Sequence, residues 1–189
     1  FRENLELPDG QIGLEDGSQG QIKKLATFLR THRPEFVLAP YWQGRHPDHV
    51  GASDLATKAC FYADLKNFNK EDGLERYSPK QVIYFQMRYE FRPSFIVDIS
   101  DVYRKKQEAI AAYGSQFLPP ENTKESEQTL INSTDTLGVV QARDRHIGGM
   151  IGVQYAEAFL TKNTIGIKDP IEHFRNNPGD KTLFFPAQI

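Results

Sequence analysis

The chain has 189 residues, 39% hydrophobic and 25% charged, which is the balance of a folded globular protein and excludes a disordered or fibrous one. Lys and Arg total 23 against 25 Asp and Glu, so a formal net charge of -2 offers no basic field to a phosphate backbone, and nucleic acid is not an expected partner. The lone cysteine, Cys60, excludes an intrachain disulfide or a thiolate cluster and fits a reducing cytoplasm, and no apolar run approaches the ~20 residues that span a bilayer, so no membrane partner is expected.

The length calls for one domain over residues 1–189, with 162–189 as a C-terminal tail. The chain opens on Phe1 without a methionine and runs at once into the turn sequence Leu7-Pro8-Asp9-Gly10, so residues upstream of it are expected to be missing. Asp9 is expected to serve that turn. From Ser18, apolar residues at Ile22, Leu25, Ala26 and Leu29 form a helical stripe. Its last turn carries Arg30, His32 and Arg33 to complement the dipole, and Pro34 ends it. Phe36-Val37-Leu38-Ala39 reads as a strand buried on both faces of a parallel sheet, with the loop Pro40 to Val50 placed at its functional end.

A second helix is expected from about Gly51 to Leu65, burying Leu55, Ala59, Cys60 and Ala63. Strands follow at Val82-Ile83-Tyr84-Phe85 and Phe95-Ile96-Val97-Asp98-Ile99, with Ser100 placed to cap a helix from Asp101 to about Tyr113. Leu118 to Thr136 reads as a surface excursion. A long helix is expected from Leu137 to Leu160, where Gly148, Gly149 and Gly152 imply close packing or a break. The tail holds a capped helical turn at Asp169-Pro170 and an apolar end, Leu183-Phe184-Phe185, that invites a contact between copies in a homo-oligomer.

The chemistry concentrates in Arg45-His46-Pro47-Asp48-His49, two histidines three apart in the loop after the buried strand. Taken alone the pair also reads as two exposed loop histidines. Neutral imidazole suits Zn²⁺, and a catalytic zinc takes three protein ligands and lowers the pKa of a water to about 7. One histidine can bind metal while the other works as a general acid or steadies an oxyanion, with Asp48 as its orienting partner.

This segment resembles the PIG-L or LmbE-type N-acetylglucosaminyl deacetylases. The resemblance extends through Glu3-Asn4-Leu5, Pro8-Asp9-Gly10, Phe95 to Ser100, Ser115-Gln116-Phe117 and Gly152-Val153-Gln154-Tyr155-Ala156-Glu157-Ala158-Phe159, and is nearest the branch that makes bacillithiol. It implies a three-layer α/β/α domain with a mostly parallel, Rossmann-like sheet that lacks its N-terminal strands in this sequence. The implied reaction is zinc-dependent hydrolysis of the acetamide of a small glycoside, N-acetylglucosaminyl malate. The resemblance makes His49 a zinc ligand, His46 the group that steadies the tetrahedral intermediate or protonates the amine, and Asp48 its partner. Arg45 would face the substrate, with an exposed loop arginine as the other reading, and Tyr155 would lie near the oxyanion, with a packed helix tyrosine as its alternative.

The sequence departs from the family seriously in one respect, since the Ala-His-Pro-Asp-Asp segment that supplies its histidine and second aspartate to zinc, and its first aspartate as base, is absent; Ala158, where the family often has glycine, is a smaller departure. The 189 residues by themselves are therefore not expected to hold catalytic zinc. Fe²⁺ is an alternative occupant of a His and carboxylate site. Deacetylation of a mycothiol precursor or a chitin disaccharide, or survival as a non-catalytic binding module, remain as alternatives. His32 is expected to be a helix C-terminal charge, His146 to sit with Arg143, Asp144 and Arg145 on a solvated helix face, His173 to lie in the tail, and Asp98 to be a strand-end or cap residue.

Overall fold

Helix α1, Glu15–His32, leads into strand β1, Phe36–Pro40, and helix α2, Pro47–Ala63, in a computed structural model that describes residues 2–117, 131 and 135–183. Strand β2 covers Gln81–Phe85 and β3 Phe95–Asp98; helices α3 (Tyr103–Ala111), α4 (Gly114–Phe117) and α5 (Thr136–Gly149) precede β4 (Ala156–Leu160), and α6 spans Pro170–Asn176. The fold is mixed α/β, with a four-stranded sheet in the order β1-β2-β4-β3. β1 and β2 are parallel, Phe36 opposite Gln81 through Pro40 opposite Phe85, and β4 is antiparallel to β2.

The chain divides into two compact units, Phe1–Phe95 with Phe159–Ile165 and Ile96–Ala158 with Gly166–Ile189. In the first, α1 and α2 meet through Ala26, Leu29, Ala59, Cys60 and Ala63, small or apolar side chains that let the two helices approach closely. Arg30, 3% exposed, fastens the pair: its guanidinium donates to the Ala63 and Leu65 carbonyls and to the Asp72 carboxylate at 2.9–3.0 Å. Beneath α2, Ala39, Ala56 and Tyr84 form a second cluster, in which the Tyr84 and Thr57 hydroxyls meet at 2.7 Å.

β1 is not buried on both faces. Ala39 is 1% exposed on the helix-covered face, but Phe36 and Leu38, pointing the other way, are 50% and 58% exposed. An apolar run shows that a strand is present, and only the layers actually packed on it decide how many faces are covered.

In the second unit Ile99, Tyr103 and Tyr155 form the core cluster. The long helix expected over 137–160 ends at Gly149. Gly152 takes φ +74°, which favours glycine, and Val153 N donates back to Gly148 O at 2.9 Å, closing a tight turn. A Cβ on Gly148 would stand 2.7 Å from the Val153 carbonyl oxygen, so the glycines serve the reversal and Ala156–Leu160 is a strand. Ser100 does not cap α3 as expected. It begins a 3-10 turn, its hydroxyl donating to Asp98 and accepting from Tyr155 N, while Asp98 accepts from Ser100 N at 2.9 Å.

Asp144, expected on a solvated face, is fully buried and paired with Lys106 at 2.6 Å and Arg143 at 3.1 Å. Asp169 caps α6 by accepting from Ile171 N and Glu172 N. Leu183 is 74% exposed, whereas Phe184, Phe185 and nearly all of the 118–136 excursion lie outside the described residues. Among the described residues no helix is long and apolar enough to cross a membrane.

Candidate active site at the start of α2

Arg45 to His49 are not all loop residues, because α2 begins at Pro47 and not near Gly51. His46 is the N-cap, with extended backbone (φ -86°, ψ 123°), and its Nδ1 accepts from Asp48 N at 3.2 Å. Pro47 suits the first helical position, where its fixed φ is already helical and its missing N–H would have no partner. The sequence signal for this boundary was the proline itself.

The cap sets the ring chemistry. A nitrogen that accepts from a backbone amide carries no proton, so the neutral His46 ring holds its hydrogen on Nε2. One turn on, His49 lies beside it, ring centroids 4.9 Å apart and planes tilted by 28°. His49 reaches solvent, yet partial burial pushes its pKa below the usual imidazole value; nearby His46 adds to the shift and Asp48 opposes it.

The Asp48 carboxylate, 6% exposed, faces the amino-terminal segment. Oδ2 accepts from Gly10 N at 2.7 Å and Oδ1 from Ile12 N at 3.3 Å. The Gly10 hydrogen bond is the main reason that its pKa lies below the ordinary carboxylate value; burial works the other way, and Ile12 N–H and His46 reinforce the lowering. The Pro8-Asp9-Gly10 turn seen in the sequence therefore has a further task, presenting two amides to Asp48. Gly13 and Gly51 permit it, since a Cβ on Gly51 would stand 1.9 Å from the Ile12 carbonyl oxygen.

Arg45, the residue before the N-cap, is exposed. Tyr155 belongs to the second unit, in the turn before β4 and not on a helix. Its ring is 9% exposed and stacks on Tyr103 with centroids 3.6 Å apart, while its hydroxyl accepts from Gln141 Nε2 at 3.0 Å.

As a metal site the motif is partial. Asp48 is occupied by two amides and His46 Nδ1 by a third, which leaves His49 as the uncommitted donor of the three. The described residues gather no group of three or more His, Cys, Asp or Glu that could hold a metal ion. Imidazole chemistry fits His49 as one zinc ligand, and catalytic zinc takes about three from protein.

No protein-family model matches the sequence. The chain is 33% identical over 139 residues to the diacetylchitobiose deacetylase of Thermococcus kodakarensis, a match that covers 71% of this chain but only 48% of that protein. Among solved structures it is similar to the conserved protein TT1542 from Thermus thermophilus, with a TM-score of 0.71 and 32% identity over 88% of this chain and 68% of the other. It is also similar to the N,N'-diacetylchitobiose deacetylase of Pyrococcus horikoshii in complex with its inhibitor MPG, with a TM-score of 0.61 and 27% identity over 84% and 54%. By fold alone it is similar to GalB, the 4-carboxy-2-hydroxymuconate hydratase of Pseudomonas putida, at a TM-score of 0.58 and 21% identity over 80% of this chain and 61% of that one. The chain belongs to one family with TT1542 and is a homologue of diacetylchitobiose deacetylase, sharing its PIG-L or LmbE-like fold.

Proposed function

We propose that the protein takes part in hydrolysing the acetamide of an N-acetylglucosaminide, releasing acetate and leaving a protonated amine. The observation that carries this reading is the pair of imidazoles 4.9 Å apart at the start of α2, in a chain 33% identical to a deacetylase over 139 residues. Zn²⁺, when bound, would polarise the acetamide carbonyl and make water nucleophilic near neutral pH. His49 is the ligand this reading assigns within the 189 residues, so metal binding by these residues alone is expected to be weak. Fe²⁺ is the competing metal.

His46 Nε2–H would donate to the carbonyl oxygen as negative charge develops there. Asp48 fastens Gly10 and Ile12 to the start of α2. Arg45, exposed just before the N-cap, would contact the substrate.

For the substrate we favour N-acetylglucosaminyl malate of bacillithiol biosynthesis, on the sequence segments that resemble that branch. Diacetylchitobiose is the second reading, favoured by the identity to the Thermococcus protein. Acetate release from both glycosides should be measured with and without chelator, with zinc or Fe²⁺ restored, in wild type and His49→Ala. Chelator-sensitive release from the malate glycoside alone, abolished in the variant, would support the first reading. Release from diacetylchitobiose alone would replace it with the second, and release that survives both chelator and His49→Ala would sink the metal mechanism. This reading places the protein in the cytoplasm as a homo-oligomer, and the exposed Ile171, Phe174 and Leu183 are its candidate contact residues. Light scattering of the purified protein would test the assembly.

A further inference from the structure

We propose that Arg88 and Arg92, on the loop after β2, join Arg45 in a subsite for an anionic part of the substrate, a group presenting carboxylate or phosphate oxygens. The inference begins with strand direction. β1 and β2 are parallel and in register from Phe36 opposite Gln81 to Pro40 opposite Phe85, so the loops that leave them emerge at the same end of the sheet, where α/β proteins bind ligands. The first loop carries Arg45 and leads directly into the histidines at the start of α2, and the second, residues 86–93, carries Arg88 and Arg92.

The second loop is tied to the first and held at both ends. Tyr41 N donates to Phe85 O at 3.0 Å, and the Tyr41 ring lies 4.8 Å from the Phe91 ring. At the far end Ser94 N donates to Phe159 O at 2.8 Å, and Ser94 Oγ accepts from Thr161 N at 3.0 Å. Phe91 thus turns inward between the two arginines, which are both exposed.

Their charges are uncommitted. None of the ion pairs formed among the described residues includes Arg45, Arg88 or Arg92, although Lys23, Arg30, Lys58, Lys80, Arg104, Lys106 and Arg143 all take carboxylate partners. In this neighbourhood Glu90 and the exposed Asp9, which adjoins Asp48, supply negative charge, and that of Asp48 is spent on the Gly10 and Ile12 amides. Three guanidinium groups on two coupled loops leave a local positive field on a chain whose formal net charge is -2. Guanidinium is also the side chain that meets carboxylate or phosphate with paired hydrogen bonds. The deacetylase reading enters only in locating this field beside the acetamide-cleaving groups; it makes the anion the aglycone and the neutral sugar the reacting half.

The test is binding by the 189-residue chain, followed by NMR or calorimetry, with malate, inorganic phosphate and neutral N,N'-diacetylchitobiose as separate probes. Wild type is compared with the double variant Arg88→Gln/Arg92→Gln and with Arg104→Gln, a control that removes an exposed guanidinium on α3. Malate binding should weaken about tenfold or more in the double variant, while Arg104→Gln and diacetylchitobiose binding are unchanged and circular dichroism shows the fold intact. Phosphate binding tighter than malate, and lost in the same variant, would support the subsite and identify its ligand as a phosphorylated group. Malate and phosphate affinities that do not change in the double variant, or that fall equally in Arg104→Gln, would overturn the proposal. Arginine-dependent anion binding with no acetate release from either glycoside would keep the subsite and remove the deacetylase reading.

Discussion

Replacing Gly51 by alanine should dislodge the segment that engages the Asp48 carboxylate. A Cβ there would stand 1.9 Å from the Ile12 carbonyl oxygen and 2.7 Å from its carbon, and both are backbone atoms that no rotamer change can remove. Gly13 opposes it with φ +77° and its own Cβ position 2.7 Å from Gly51 Cα, so neither partner has room to yield. Ordinary contact begins at 3.4 Å, so residues 8–13 must retreat by about 1.5 Å. The Ile12 amide, already 3.3 Å from Oδ1, would then leave hydrogen-bond range. Overpacking of this kind costs about 1–3 kcal/mol. Gly20, inside α1 with nothing within 4 Å of its Cβ position, is the matched control, and alanine there should stabilise by about 0.5–1 kcal/mol. Hydrogen exchange of peptides covering residues 8–13, together with urea unfolding, reads both effects. A Gly51→Ala protein with wild-type protection over that segment and an unchanged midpoint would refute the packing argument.

Further outcomes follow from the same contacts. Arg30→Met removes a guanidinium whose side chain is 2% exposed and leaves the Asp72 carboxylate, 5% exposed, without its ion-pair partner; the expected loss is about 3–5 kcal/mol. Fluorescence of Trp42, the one tryptophan in the sequence, should show the lowered urea midpoint, and a loss below about 1 kcal/mol would contradict the pairing. Asp48 has a folded pKa below its unfolded value of about 3.9, so the stability it contributes is complete above that pH and is lost as pH falls through the folded value. The stability gap between wild type and Asp48→Asn should therefore close during acid titration, and a gap independent of pH would count against the Gly10 and Ile12 bonds. Burial pushes the Cys60 thiol up to about 11, so alkylation at pH 8 should be slow in the folded protein and fast in urea, whereas rapid labelling of the folded state would show that the α1–α2 seam opens readily.

What the sequence disclosed and what it hid divide along physical lines. β1, β2 and β3 are legible because short apolar runs between turn signals have few alternatives, and the Asp169 cap because aspartate before proline marks a helix start. α2 starts about four residues before the expected Gly51, because Arg45 to His49 has the look of a reactive loop, whereas proline after a potential N-cap is itself a helix signal. The error over 137–160 has another source. Apolar periodicity continues through Val153 and Ala156, but a glycine at φ +74° cannot be distinguished in sequence from one buried in a helix. Asp144 was read from its charged neighbours, and nothing local shows that Lys106, 38 residues away, neutralises it in the interior.

The candidate site shows the same limit more sharply. His46 and His49 come together because they lie three positions apart at one helix start, and local spacing suffices to forecast that. The partners of Asp48 lie 36 and 38 residues away, whereas its expected orienting role toward His46 rests on sequence neighbourhood and on the family resemblance. In the fold its oxygens turn to Gly10 and Ile12, and it is its backbone amide that holds His46. Arg88 and Arg92 belong to no motif in the sequence, and the register of β1 against β2 is what brings their loop to the end of the sheet that carries Arg45. A motif thus identifies the groups that can react, and strand pairing identifies which distant charges surround them. Substrate selectivity in this chain is accordingly expected to change through substitutions in residues 86–93 that leave the His46-Pro47-Asp48-His49 segment intact.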